Sequence, residues 1–310
     1  MKKRTTSLVW AFLFAAGLGC SLSGKPVQVV ATTTIIRDIV SRVGGEAIEL
    51  RTLLPVDADP HAFQPTPKDL VDIENADVVF INGAGLESDI ETLLANARGL
   101  VVALGDHLAL RSFVESSAGG EGEPGQREED HRHEGVDPHV WFDPTNVMIW
   151  VRVIEETLSD LDPAHASTFA ENASVYRTEL AELDLWIWEE IARIPRVQRV
   201  LVTDHAALGY FSARYGFEQV GTLFPGFSTL AEPSAKELAR LEARVIELGI
   251  PAIFVGTTVN RALAEAVAVD TGTQIVSLYT GSLSEAGGPA GSYMDLMRYD
   301  VRAIVDALAG

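Results

Sequence analysis

DPAHASTFAENASVYRTELAELDLWIWEEIARIP, residues 162–195, places Phe169, Ala173, Tyr176, Leu180, Leu183, Ile187, Ile191 and Ile194 at steps of three and four. Such spacing makes one apolar stripe along a helix. Neither Gly nor Pro interrupts residues 164–194. Asp162 is suited to cap the start, Pro163 fits a first helical turn and Pro195 stops the run. A helix of roughly 30 residues would be about 45 Å long, longer than a small domain is wide. A pair of shorter helices is the alternative. A helix of that length spans something, and the flanking sequence says what.

On its N-terminal side, VQVVA (27–31), IELRTLL (48–54), DVVFI (77–81) and LVVAL (100–104) are short β-branched runs typical of buried parallel strands. Helical spacing lies between them in PKDLVDIENA and LESDIETLLANA. On its C-terminal side the alternation resumes with RVLVTD (199–204), FEQVGTLF (217–224), AIFVG (252–256) and QIVSLY (274–279). Helical patterns follow these at 206–214, 233–248, 260–269 and 292–308. The expected fold class is therefore α/β. Two lobes, residues 27–160 and 197–310, each with a four-stranded mainly parallel sheet flanked by helices, are joined by a rigid helix over 162–195.

Two segments fall outside this pattern. Residues 116–136, SSAGGEGEPGQREEDHRHEGV, are rich in Gly, Glu and Ser with no apolar face, and read as a loop. At the N-terminus, Lys2, Lys3 and Arg4 precede the apolar LVWAFLFAAGLG, which ends at Cys20. A basic start, a short apolar stretch and small residues make residues 1–20 a signal peptide, too short to span a bilayer comfortably. Cys20 is the only cysteine, so no internal disulfide forms, and its position resembles the acylated cysteine of a bacterial lipobox, with Gly17 in place of the usual leucine. The chain is thus expected to be exported, into a periplasm or onto a lipid anchor at the outer face of the membrane. The formal net charge of −20, more negative once the basic leader is removed, argues against a nucleic-acid partner.

The candidate chemistry lies in the histidines. Asp-Pro-His occurs twice, in DPHAFQPTP from Asp59 and in DPHVWFDP from Asp137. Proline stiffens the backbone ahead of each imidazole and biases the aspartate toward an extended conformation. His61 follows the second strand of the first lobe, and His205 ends the first strand of the second lobe. Ligands of open α/β sheets gather beyond strand carboxyl ends, so these histidines face one cleft if the lobes face each other. His61, His139 and His205 form a metal site of neutral imidazoles, suited to Zn²⁺, Cu²⁺, Ni²⁺ or Fe²⁺ rather than Mg²⁺ or Ca²⁺. Asp59 and Asp137 are expected to hold the ligand rings in the right tautomer. His131 and His133, in the acidic EEDHRHE, are candidates for weak metal capture, whereas His107 and His165 read as ordinary surface residues.

These motifs, with TDHAALGYFSARYGF, AEPSAKELARL and SYMDLMRYDV, resemble the zinc- and manganese-binding receptors of bacterial ABC transporters over nearly all of the mature chain. The resemblance implies a metal held between two α/β lobes and passed to a membrane permease driven by a separate ATPase, with the receptor a monomer. It places His61, His139 and His205 on three ligand positions. Manganese members typically carry glutamate at the third position, so His205 implies zinc as cargo over Mn²⁺ or another divalent ion. The fourth position departs from the pattern, because Gly281 stands where many members have aspartate, and Gly256 replaces a usual glutamate. A three-histidine site with an open position also describes a zinc hydrolase or hydratase, and a metal-stabilised surface adhesin is a third reading. No HExxH-type motif supports the enzyme. Because imidazoles must be neutral to bind metal, affinity is expected to fall below about pH 6.5.

Overall fold

The computed structural model describes residues 25–113 and 135–309. The signal segment with Cys20, and the loop histidines His131 and His133, lie outside the described residues. In the first lobe, β1 (Val27–Ala31), β2 (Ile48–Thr52), β3 (Val78–Ile81) and β4 (Leu100–Ala103) form one parallel sheet in the order β2-β1-β3-β4. Its helices are α1 (Thr34–Gly44), α2 (Pro67–Asn75) and the short α3 (Glu91–Leu94). After β5 (Ser112–Phe113) and β6 (Gly135–Val136), which pair antiparallel with two residues in each strand, α4 (Pro144–Leu161) and α5 (Ala166–Ile191) run as a packed pair.

The second lobe repeats the first. β7 (Val200–Thr203), β8 (Glu218–Thr222), β9 (Ala252–Gly256) and β10 (Gln274–Leu278) form a parallel sheet in the order β10-β9-β7-β8. Counted from its own first strand, that order matches the first sheet. Helices α6 (Gly209–Tyr215), α7 (Ala235–Leu248), α8 (Ala262–Thr271) and α9 (Tyr293–Leu308) complete it. Both lobes therefore have their topological switch beside their first strand, where open α/β sheets build binding crevices.

The long stripe forms one helix, but a shorter one than 162–195. Asp162 does not start it; it closes α4, donating its amide to Leu158 O, and its carboxylate accepts from Ala164 N (3.2 Å) and His165 Nδ1 (2.6 Å). The physical reason is Pro163, which disfavours helical backbone at the preceding residue and so breaks the chain there. The helix begins after His165 and ends at Ile191, four residues before Pro195. Its buried face is the predicted one, from Phe169 through Ile191, and it packs on α1 of the first lobe and α9 of the second. At 26 residues it is about 39 Å long, enough to lie along both lobes. Of the segment 116–136 expected as a loop, Gly135 and Val136 instead pair with Phe113 and Ser112, and residues 116–134 lie outside the described residues.

Direct contacts hold the lobes face to face as well. Ser282 Oγ accepts the Asp57 amide at 3.0 Å and lies 3.3 Å from Thr34 Oγ1, which accepts the Leu283 amide. Asp38 accepts the Tyr293 amide, and the Tyr293 hydroxyl donates to Trp141 O at 2.7 Å. Leu183 is completely buried on the α5 face. Leu183→Ala is expected to cost about 2–5 kcal/mol of unfolding free energy, as a core cavity does. Denaturant unfolding of the metal-free protein measures it, and a loss under about 0.5 kcal/mol would mean that α5 is not part of the core.

Candidate metal centre

His205 lies two residues past β7, and its position comes from strand geometry. Thr203 Oγ1 donates to its carbonyl, and Asp204, continuing the strand line, accepts the His205 amide at 2.7 Å. His139 sits on the turn leading into α4. The Asp137 amide donates to Arg111 O, extending the β5–β6 hairpin, and Asn82 Nδ2 donates to Pro138 O at 2.9 Å. His61 comes from the loop after β2, where Asp59 Oδ1 accepts its amide at 2.9 Å. Three segments, two from the first lobe and one from the second, thus deliver one imidazole each.

The rings meet. His139 Nε2 lies 3.2 Å from His61 Nε2 and 3.2 Å from His205 Nε2, and ring centroids are 5.0–5.3 Å apart. Among the described residues these three make up the one cluster with metal-ligand geometry. Nitrogens bound tetrahedrally to one zinc at about 2.0–2.1 Å would be separated by about 3.3–3.4 Å, close to the two 3.2 Å contacts that His139 makes, and all three ligand atoms lie within 4.8 Å of one another. His107 and His165 are outside the cluster.

Carboxylates decide which nitrogen faces inward. His139 Nδ1 is 3.0 Å from Asp137 Oδ1 and His205 Nδ1 is 2.8 Å from Asp204 Oδ1. With Nδ1 as donor in each, the Nε2 lone pairs converge, an arrangement that repels itself until a cation or proton sits between them. Asp137 thus contacts both the amide and the ring of His139. Asp59 does not touch the ring; it fixes the loop backbone and accepts the Thr229 hydroxyl at 2.5 Å, tying the His61 loop to the second lobe. The proline between Asp59 and His61 allows this amide contact in both Asp-Pro-His copies, and only the second adds the ring contact. Asp204 is the partner that sequence reasoning left without a role. Its signal was the directly adjacent Asp-His at a strand end.

Burial and charge then separate the three imidazoles. Burial, reinforced by the neighbouring His205 charge, pushes His61 down to about 4 against the pull of Asp59 and Asp204. Burial and the two other rings hold His139 well below its ordinary range. His205 differs: burial disfavours its charge, but the Asp204 carboxylate and its hydrogen bond outweigh burial and raise it. Asp204 is correspondingly lowered, the His205 charge and hydrogen bonds from His205 and the Gly256 amide overcoming burial. Burial lifts Asp137 to about 7, against the His139 amide, Arg111 and His205.

The two glycines that break the family pattern are closed positions. A Cβ on Gly281 would stand 2.7 Å from Pro60 Cδ, the residue before His61. One on Gly256 would overlap Thr280 Oγ1 and lie 3.0 Å from Asp204 Oδ2. A side chain at 281 would press on the Pro60 ring beside His61, and one at 256 would press on the Thr280 and Asp204 side chains.

Comparison with known proteins places the chain. Residues 29–307 match the family described as "ZnuA: Zinc-uptake complex component A periplasmic", and the chain belongs to it. It is 32% identical over 305 residues to the manganese-binding lipoprotein MntA of Halalkalibacterium halodurans, covering 98% of this chain and 95% of that protein. It is 31% identical over 287 residues to the iron-binding protein YfeA of Yersinia pestis, covering 91% and 86%. Among solved structures, the periplasmic zinc-binding protein TroA of Treponema pallidum superposes with a TM-score of 0.79 at 30% identity, covering 93% of this chain and all of that one.

If the three histidines bind metal, the ion competes with a proton on His205, which Asp204 favours. Affinity is therefore expected to rise with pH through 6.5 and to keep rising above it, because the His205 shift is upward. His61 and His139, already neutral there, add slope only in acid. Asp204→Asn should weaken zinc about 10–100-fold and move the rise to lower pH. Competition against a chromophoric chelator from about pH 5 to 8.5 reads both, spanning the range where histidine titrates. A wild-type plateau already reached at 6.5 would contradict the account.

Proposed function

We propose that the chain is the extracytoplasmic receptor of a divalent transition-metal importer, with zinc as its preferred cargo. The ion is held by Nε2 of His61, His139 and His205 and is passed to an ABC permease powered by its ATPase. The family description as periplasmic and the lipoprotein names of relatives support a site of action outside the cytoplasm. No helix among the described residues is long and apolar enough to cross a membrane.

The observation that carries the reading is the convergence of three buried or half-buried Nε2 atoms at 3.2 Å contacts, at the meeting of two lobes. Relatives are named for manganese, zinc and iron, so the preference rests on this chain's own donors. Three imidazole nitrogens suit zinc, while Mn²⁺ is the harder ion and lies lower in the affinity order for such sites. Gly256 and Gly281 supply no carboxylate oxygen of the kind that would favour the harder ion.

Capture without chemistry fits the surroundings better than hydrolysis. The carboxylates nearest the rings are committed to positioning. Asp137 holds the His139 ring and amide, and Asp204 holds the His205 ring and the Gly256 amide at 2.7 Å. Neither is placed as a general base for a metal-bound water.

Titration of the metal-stripped protein with Zn²⁺, alone and against excess Mn²⁺, tests the proposal when repeated on His139→Ala. The expected result is tight one-to-one zinc binding, unmoved by manganese and lost by at least about 100-fold in the variant, as for deletion of a ligand rather than its supporting partner. Manganese displacing zinc at comparable concentration would overturn the preference. An unaffected variant would overturn the site.

A further inference from the structure

Apart from the histidines, one polar cluster joins the two lobes and the long helix. Its centre is Arg214 on α6, the helix that follows His205. Arg214 Nε lies 2.7 Å from Asp184 Oδ1 and 3.3 Å from Asp143 Oδ1, and Nη2 lies 2.5 Å from Asp184 Oδ2. Asp184 belongs to α5, and Asp143 caps α4 immediately after the His139 segment. The Tyr215 hydroxyl donates to Asp184 Oδ1 at 2.7 Å, so the linker carboxylate is gripped twice from the second lobe.

We propose that Arg214 is a positioning residue for metal capture, holding His139 in register with His205 through Asp143 and Asp184. The proposal rests on the three-histidine reading above and adds a determinant of its affinity.

The geometry gives the path. The segment 137–143 meets α6 at both of its ends. At its start, Gly209 approaches Asp137 so closely that a Cβ would overlap Asp137 Oδ2. The same end is held through Arg111, whose amide the Tyr210 hydroxyl accepts at 3.0 Å and whose carbonyl accepts the Asp137 amide at 3.0 Å. At its end, Arg214 holds Asp143. The span between His139 and Asp143 is one tight turn, in which Phe142 N donates to His139 O and Asp143 N to Val140 O, both at 3.3 Å. Asp143 is itself fixed, because Oδ1 accepts the Thr145 amide (2.8 Å) and hydroxyl (2.7 Å). A displacement of Asp143 is therefore carried to the imidazole rather than absorbed.

Register matters because the site is narrow. Ligand atoms have to be held within about 0.5 Å of productive geometry for full affinity. Arginine suits the task, since its planar fork engages the Asp184 carboxylate with two bonds, from Nε and Nη2, while Nε also stands 3.3 Å from Asp143 Oδ1, which leaves one charge between two carboxylates. His61 reaches the site by another route, through Ser282 and Thr229 contacts with its loop. Loss of Arg214 should therefore loosen the His139–His205 pair and leave the His61 loop in place.

The test uses the full mature chain with Arg214→Gln, Arg214→Lys, Asp143→Asn and the double variant Asp143→Asn/Arg214→Gln. Asparagine caps a helix as well as aspartate does, so Asp143→Asn keeps α4 intact while removing the charge. Zinc affinity by chelator competition and the visible d–d bands of the Co²⁺-loaded protein are the readouts, with thermal unfolding of the metal-free form alongside. Arg214→Gln should weaken zinc about tenfold, the lower end for groups that orient ligands through another residue, and should shift and weaken the cobalt bands. Arg214→Lys should fall between it and wild type. Asp143→Asn should match it, and the double variant should be no worse than Arg214→Gln alone, since the two act through one contact. Arg42→Gln, which removes a surface pairing with Glu179 on the same linker helix, should leave affinity unchanged. If Arg214→Gln does not fold, Asp143→Asn and Arg214→Lys carry the same comparison. Lowered thermal stability with affinity and cobalt bands unchanged would overturn the proposal, leaving Arg214 a structural brace. Failure of the three-histidine reading looks different: wild-type cobalt bands would lack tetrahedral intensity, or would survive His139→Ala.

Discussion

Two hydrogen bonds between carboxylates and imidazoles, Asp137 to His139 and Asp204 to His205, determine which nitrogen of each ring faces the cleft. Once Nδ1 is engaged, the Nε2 lone pairs point at one another across 3.2 Å, and a positive charge is needed between them. Asp204 favours a proton on His205 in that place, and on the proposed reading a bound cation would take it. The pH response follows from this arrangement. Asp137, lifted by burial to about 7, becomes the better acceptor when metal at His139 Nε2 polarises the ring, so loading should release protons from both pairs.

The scaffold exists to bring these groups together from distant parts of the chain. Parallel strands ending in the same direction place His205 directly and His61 through a loop, while the hairpin before α4 places His139. The 26-residue α5 packs on α1 of the first lobe and on α9 of the second. Side-chain contacts then lock the cleft at points close to each histidine. Thr229 holds the loop of His61, Ser282 holds Asp57 in the same loop, and Arg214 holds the turn of His139. Pro60 packed on Gly281 shows how little space remains.

Much of this was legible in the sequence because the signals are local. Strand runs and the α5 stripe follow from side-chain periodicity, and a repeated Asp-Pro-His marks a stiff support for a ligand. What was not legible depends on the partner across space. Asp59 and Asp137 occupy identical motifs, yet only Asp137 pairs with its ring, through the same Oδ1 that accepts the His139 amide, while Asp59 accepts the His61 amide at Oδ1 and the Thr229 hydroxyl of the other lobe at Oδ2. Asp204 gave no periodic or repeated signal and acquires its role from the Gly256 amide and the buried ring beside it. The start of α5 was misplaced because Pro163 favours a helical first turn and also breaks the helix before it, and only packing of α4 against α5 shows which effect prevails. The steric closure at Gly281 likewise needed the position of Pro60.

The most direct test of the account is X-ray absorption at the zinc edge of the loaded protein. It predicts nitrogen or oxygen neighbours at about 2.0–2.1 Å, with the multiple-scattering signature of three imidazoles. A shell with fewer than three imidazoles, or one dominated by carboxylate oxygens at longer distance, would contradict it.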